Sequence, residues 1–146
     1  MNKLKKTLVN KLKLLSESEG VSNQVEFLGR LPFEDLKKHT ESASIGILFE
    51  EPLGLSFEYS LPNKLFDYIH AETPVLASPL IEVKKIIDKY KVGELLVDRN
   101  PEHIAQQIQA MESKLSAYEF GKAKAELNWK NEEKVLKLVF ADFMQK

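Results

Sequence analysis

Three short apolar runs, SIGILF (44–49), PVLAS (74–78) and ELLVD (94–98), are separated by stretches whose apolar residues recur at helical spacing. Parallel neighbours need a crossover between them, and a helix supplies it, so this alternation argues for a layered α/β domain with a mainly parallel sheet. SIGILF and PVLAS are apolar on both faces, as strands buried between two helix layers are. Their carboxyl ends run into polar loops, where open α/β sheets bind ligands.

The same periodicities place the remaining elements. A helix is expected over about residues 2–18, a strand at VEFLG (25–29), and a helix opened by Pro32 and running through Ser42. A loop over 50–60 follows SIGILF, then a helix to about Ala71, PVLAS, a helix near 80–90, ELLVD, and two or three closing helices. In the closing segment, Ile104, Ile108, Met111 and Leu115, then Val135, Leu138, Val139 and Phe143, read as core-facing stripes rather than a cofactor pocket. Trp129, between the two runs, reads as a packing anchor. No repeat or low-complexity linker is visible, and 146 residues at 43% hydrophobic and 29% charged suffice for one core, so residues 1–146 are expected to form a single domain.

Charge and cysteine content narrow the functions. Lys plus Arg number 21 against 22 Asp plus Glu, a balance that argues against a broad grip on nucleic acid but leaves room for a local anion site. There is no Cys, and three scattered His give no metal set, so no metal is expected. The basic start MNKLKKTLVNKLKLL carries Leu4, Leu8, Leu12 and Leu15 as a helix stripe, without the apolar run or cleavage site of a secretory signal. Nothing reaches the length of a membrane span. A cytoplasmic location is expected. Lys3, Lys5, Lys6, Lys11 and Lys13 read as a solvated face, with peripheral contact to anionic lipid at an inner membrane surface as the alternative.

The stretch SLPNKLFDYIHAETPVLAS (60–78) crowds polar groups into the start of a helix that must bury Leu65, Phe66 and Ile69. Pro62 suits the first turn, with Ser60 or the Leu61 backbone at the cap. The amides of Asn63, Lys64 and Leu65 would then be free, and with the positive helix end they form a site for a phosphate, beside the charge of Lys64. Asn63, Asp67 and His70 share one stripe of the helix. A carboxylate one turn beyond a phosphate can accept hydrogen bonds from a ribose diol. Capping and solubility alone explain the same residues, and spacing by itself favours that plainer account.

The runs VEFLGRLPFEDLKKHTESASIGILF, SLPNKLFDYIHAETPVLAS and KYKVGELLVDRNPEHIAQQI together resemble the C-terminal, donor-binding half of GT-B-fold glycosyltransferases of the group 1 type, which use nucleotide sugars. The resemblance covers roughly residues 4–115, and its most specific piece is PNKLFDYI followed by PVLAS. It implies a Rossmann-like parallel sheet flanked by helices. Ser60, Leu61, Pro62, Asn63 and Lys64 would face the diphosphate and sugar of the donor, and Asp67 would stand at the family's second acidic position, usually Glu, which binds ribose hydroxyls. The family's first acidic residue falls on Tyr59 here, which leaves Glu58, then Glu50 and Glu51, as substitutes; Glu58 is the catalytic candidate. Residues 30–32 would edge the base, and Glu72 stands where the family often has Gly.

In the family this half-domain begins with two strands and a basic residue upstream of the helix that is expected here from residue 2. The resemblance therefore implies a fragment truncated at its N-terminus, without the acceptor-binding domain, whose VEFLG run needs an unusual neighbour or another chain. Its partners would be a nucleotide-sugar donor and, for the acceptor, the missing domain or another chain. It implies no cofactor and a place in polysaccharide biosynthesis, with the isolated chain inactive in transfer. Two alternatives stand beside it: a non-catalytic module binding a nucleotide or partner protein, and a sugar-nucleotide epimerase of the same fold.

Overall fold

The computed structural model describes residues 3–51 and 53–144, and the side chains of residues 7–51 and 53–141. The expected helix start at residue 2 and the side chains of Lys3, Leu4, Lys5, Lys6 and Phe143 lie outside the described residues. The chain divides into two compact units, Met1–Phe33 and Glu34–Lys146.

In the first unit, helix α1 (Lys3–Ser18) leads into a single 3-10 turn at Ser22–Gln24 and then an extended segment. Gly20, at φ 71°, takes the left-handed conformation that closes the helix, and the Val21 amide turns back to the Ser16 carbonyl at 2.9 Å. Lys13 Nζ sits 5.7 Å from the centre of the Phe27 ring. The VEFLG run corrects the sequence expectation: Val25 has extended dihedrals, φ −118° and ψ 118°, yet residues 25–29 belong to no strand. A strand is defined by a ladder partner, and the alternation of Val25 and Phe27 supplies only a willingness to pair.

Helix α2 (Phe33–Ser42) lies in the second unit apart from its first residue. Strand β1 (Gly46–Leu48), the short helix α3 (Leu55–Glu58), helix α4 (Asn63–His70) and strand β2 (Val75–Ala77) follow. Helix α5 (Ile81–Tyr90) then leads to strand β3 (Gly93–Leu95). Helices α6 (Pro101–Glu112), α7 (Gly121–Glu126) and α8 (Trp129–Met144) close the chain. The region expected to be loop throughout, 50–60, thus contains one helical turn, and β3 starts a residue before its expected beginning.

The sheet is parallel in the order β1-β2-β3, with Ile47 opposite Leu76 and Leu76 opposite Glu94. It is the expected Rossmann-like arrangement of a parallel sheet flanked by helices. One face carries Leu48, Val75 and Ala77 against Leu65 and Ile69 of α4, Val83 and Ile87 of α5, and Ala123 of α7. The other carries Leu76 and Leu96 beneath Met111, Ile104 and Ile108 of α6. Every residue of β2 is fully buried, as its apolar run implies, but Ile47 of β1 is 39% exposed. Helix α6 covers the β2–β3 side of that face, and Ile47 stands one strand further out.

Close approach explains two sequence details. A Cβ on Gly93 would run into the Val75 backbone, so β3 can lie beside β2 only with glycine there. Glu72 sits at φ 58°, a left-handed position that suits glycine better, in the turn from α4 to β2. Thr73 hydrogen-bonds from its hydroxyl to the Thr40 carbonyl at 2.8 Å and ties the end of α2 to the start of β2.

The closing stripes divide. On α6, Met111 is fully buried and Ile104 and Ile108 are half-buried, as expected. On α8 the expectation fails: Val135, Leu138 and Val139 are 57%, 69% and 51% exposed, and Trp129 is 70% exposed rather than a packing anchor. Helical spacing shows that a helix has an apolar side, not that anything covers it. Among the described residues, no helix is long and apolar enough to cross a membrane.

Candidate functional site

In each β-α-β unit the helix returns antiparallel to its strands, so α4 and α5 start at the carboxyl edge of the sheet. That edge opens into a crevice of about 320 Å³. Glu50 and Glu58 line it from the segment after β1, Ser78 and Pro79 from the end of β2, Leu80 and Ile81 from the start of α5, and Leu96, Asp98 and Arg99 from the end of β3.

The β3 wall is fixed by local hydrogen bonds. Asp98 accepts from His103 Nδ1 at 2.7 Å and from the Asn100 amide at 2.9 Å. The His103 hydrogen bond, then that of the Asn100 amide, holds the Asp98 carboxyl below the usual carboxylate range. Asn100 caps α6 by accepting from the Glu102 and His103 amides, with Pro101 in the first turn. Between these anchored neighbours, Arg99 turns back over the strand ends. Its Nη2 donates to the Glu50 carbonyl at 2.9 Å and to Ser78 Oγ at 3.2 Å, and its Nη1 lies 3.6 Å from Glu51 Oε1.

The start of α4 differs in detail from the sequence expectation. Pro62 itself occupies the cap position, at φ −66° and ψ 139°, with no side-chain cap. The Leu65 amide is not free, because it donates to the Pro62 carbonyl at 3.0 Å. The amides of Asn63 and Lys64 remain without an acceptor among the described residues. Just before them, the Ser60 hydroxyl is buried and, among the described residues, has no hydrogen-bond partner. An unpaired buried hydroxyl costs free energy unless a ligand or water completes it. Lys64 and Asp67 are exposed and, among the described residues, make no ion pair or side-chain hydrogen bond.

The sequence-derived residues do not all converge. Glu58 lies in the strand-end crevice together with Glu50, whereas Glu51 is engaged by Arg99. Leu61 and Asn63 line a second groove of about 570 Å³, with Phe66, His70, Leu127 and Trp129. His70, on the same helix stripe as Asn63 and Asp67, spends Nε2 on the Leu127 carbonyl at 3.0 Å. Residues 30–32 fall in the first unit. Sequence reasoning passed over Ser78 and Arg99. The local signal for them was an arginine directly before an Asn-Pro helix start, at the end of a third parallel strand. Among the described residues, no group of three or more His, Asp or Glu side chains could hold a metal ion.

No curated protein and no solved structure matches the chain. The family model of glycosyl transferases group 1 matches residues 4–113, which spans the strand-end crevice and the start of α4. With most of its length inside that match, the chain belongs to the glycosyl transferases group 1 family.

Proposed function

We propose that this chain supplies the donor-binding part of a glycosyltransferase, holding a nucleotide-diphosphate sugar at the carboxyl edge of its parallel sheet. The observation that carries this reading is the start of α4, where, among the described residues, two amides have no acceptor, the buried Ser60 hydroxyl has no partner and Lys64 is unpaired. Such a helix start meets an anion with its backbone and adds a full charge from the lysine. Its part in transfer would be to stabilise the departing diphosphate as negative charge develops on it. Asp67 would accept from the ribose hydroxyls, and Glu58, from the crevice side, would face the sugar.

Transfer also needs an acceptor site, which this reading leaves to another domain or chain. The chain alone is therefore expected to bind donor without transferring sugar. Calorimetric titration with UDP, GDP and ADP tests the proposal. At least one nucleoside diphosphate should bind more tightly than its nucleoside, and binding of none of them would contradict the donor site.

A further inference from the structure

The segment that carries Glu58 and Ser60 is held almost entirely by itself. Its hydrogen bonds run from the Leu53 amide to Glu51, from the Phe57 and Glu58 amides to Gly54, from the Tyr59 amide to Leu55, and from the Ser60 amide to Phe57. Leu53, Leu55, Phe57 and Tyr59 are 76%, 74%, 50% and 57% exposed, so burial adds little. Among the described residues, the hydrogen bonds and ion pairs that tie residues 50–60 to another element all come from one side chain, Arg99.

We propose that Arg99 is a positioning residue: its guanidinium fixes the path of residues 50–51 and 53–60 across the carboxyl ends of the strands and so sets where Glu58 and Ser60 stand. The role as a determinant of donor binding rests on the function proposed above; the clamp itself rests on geometry alone. Three features make the clamp specific. Glu50 lies two residues past the end of β1, so holding its carbonyl at 2.9 Å fixes the direction in which the segment leaves the sheet. The same Nη2 reaches Ser78 Oγ at the end of β2, and Ser78 is 3% exposed, which gives the clamp a rigid footing. The other nitrogen, Nη1, faces Glu51, so a planar fork spans three partners that a single ammonium cannot reach together.

Hydrogen exchange on the full chain tests the clamp, with Arg99→Gln and Arg99→Lys compared to the wild type. Both variants should speed exchange of the amides between 53 and 60 by about tenfold, the loss of one charge-assisted hydrogen bond, while the β2 amides keep their protection. Restored protection in Arg99→Lys would show that charge alone is needed and would overturn the fork. Unchanged exchange in Arg99→Gln, or equal loss across β2, would overturn the clamp altogether. Titration of the same proteins with UDP, GDP and ADP separates the two levels. Weaker binding in step with faster exchange supports the role in donor binding. A wild-type chain that binds none of them, with exchange still shifted at 53–60, contradicts the donor site and leaves the clamp standing.

Discussion

Asp67 is exposed on α4, one turn beyond Asn63, and no side chain among the described residues hydrogen-bonds to it or forms an ion pair with it. A carboxylate in that position has little to contribute to folding and is open to a ligand. Replacing it as Asp67→Asn should weaken nucleotide binding by about 1 to 3 kcal/mol, the range for a hydrogen bond to a charged group, with the thermal midpoint unchanged. Equal affinity in the two proteins, measured by calorimetry, would remove Asp67 from the ribose role. Glu94 is the opposite case, a carboxylate committed to the fold. It accepts from Tyr118 at 2.8 Å and pairs with Lys114 at 2.6 Å on the outer strand of the sheet. Burial would raise its pKa, but the hydrogen bonds from Lys114, Tyr118 and Gln107 together outweigh burial and hold it below its ordinary 4.5. A depressed folded-state pKa gives stability that is present above the unfolded value and lost as pH falls through the folded one. Wild-type stability should therefore decline as pH drops below 4.5, and Glu94→Gln should flatten that decline in denaturant titrations across the acid range.

At the scale of elements, β2 was the most legible piece, because Val75, Leu76 and Ala77 in PVLAS are all apolar, leaving no residue for a wet face, and every residue of β2 is buried. The parallel order of three strands followed from helical connections between apolar runs. Where β3 begins was less legible: its register is set by Gly93 lying against Val75, a contact between backbones that leaves no hydrophobic signal. Gly93→Ala should destabilise the chain by about 3 kcal/mol, since a methyl group there cannot be placed without moving β2. Denaturant unfolding checks it, and a wild-type midpoint would mean that the strands separate easily. VEFLG and α8 mark the limit of periodicity as evidence. Each has an apolar side, but pairing and covering depend on what stands opposite, and among the described residues 25–29 gains no ladder while Leu138 stays 69% exposed. At the candidate site, the local parts could be foreseen: a proline at the helix start, free amides, a lysine beside them. The bonds of Arg99 to Glu50 and Ser78 join residues 49 and 21 positions apart, and no local pattern announces such pairs.

For the whole molecule, family membership sets the chemistry to be expected, and the donor site proposed above would carry this chain's share of it at the uncapped start of α4. Leu65 and Ile69, both fully buried, hold α4 against the sheet, while Asn63 and Lys64 stay at its open end. Neither Ser60 nor Pro62 caps the helix with a side chain, so side-chain capping does not account for the polar crowding at 60–64. The most direct test compares a nucleoside with its diphosphate on the wild-type chain and on Lys64→Met, which keeps most of the aliphatic stem and removes the charge. If the start of α4 holds the diphosphate, the variant should lose about tenfold in affinity for the nucleoside diphosphate, bind the nucleoside as the wild type does, and show a loss that fades with added salt. Equal losses for nucleoside and diphosphate would mean that Lys64 acts through the fold, and the account of α4 as the diphosphate site would be contradicted.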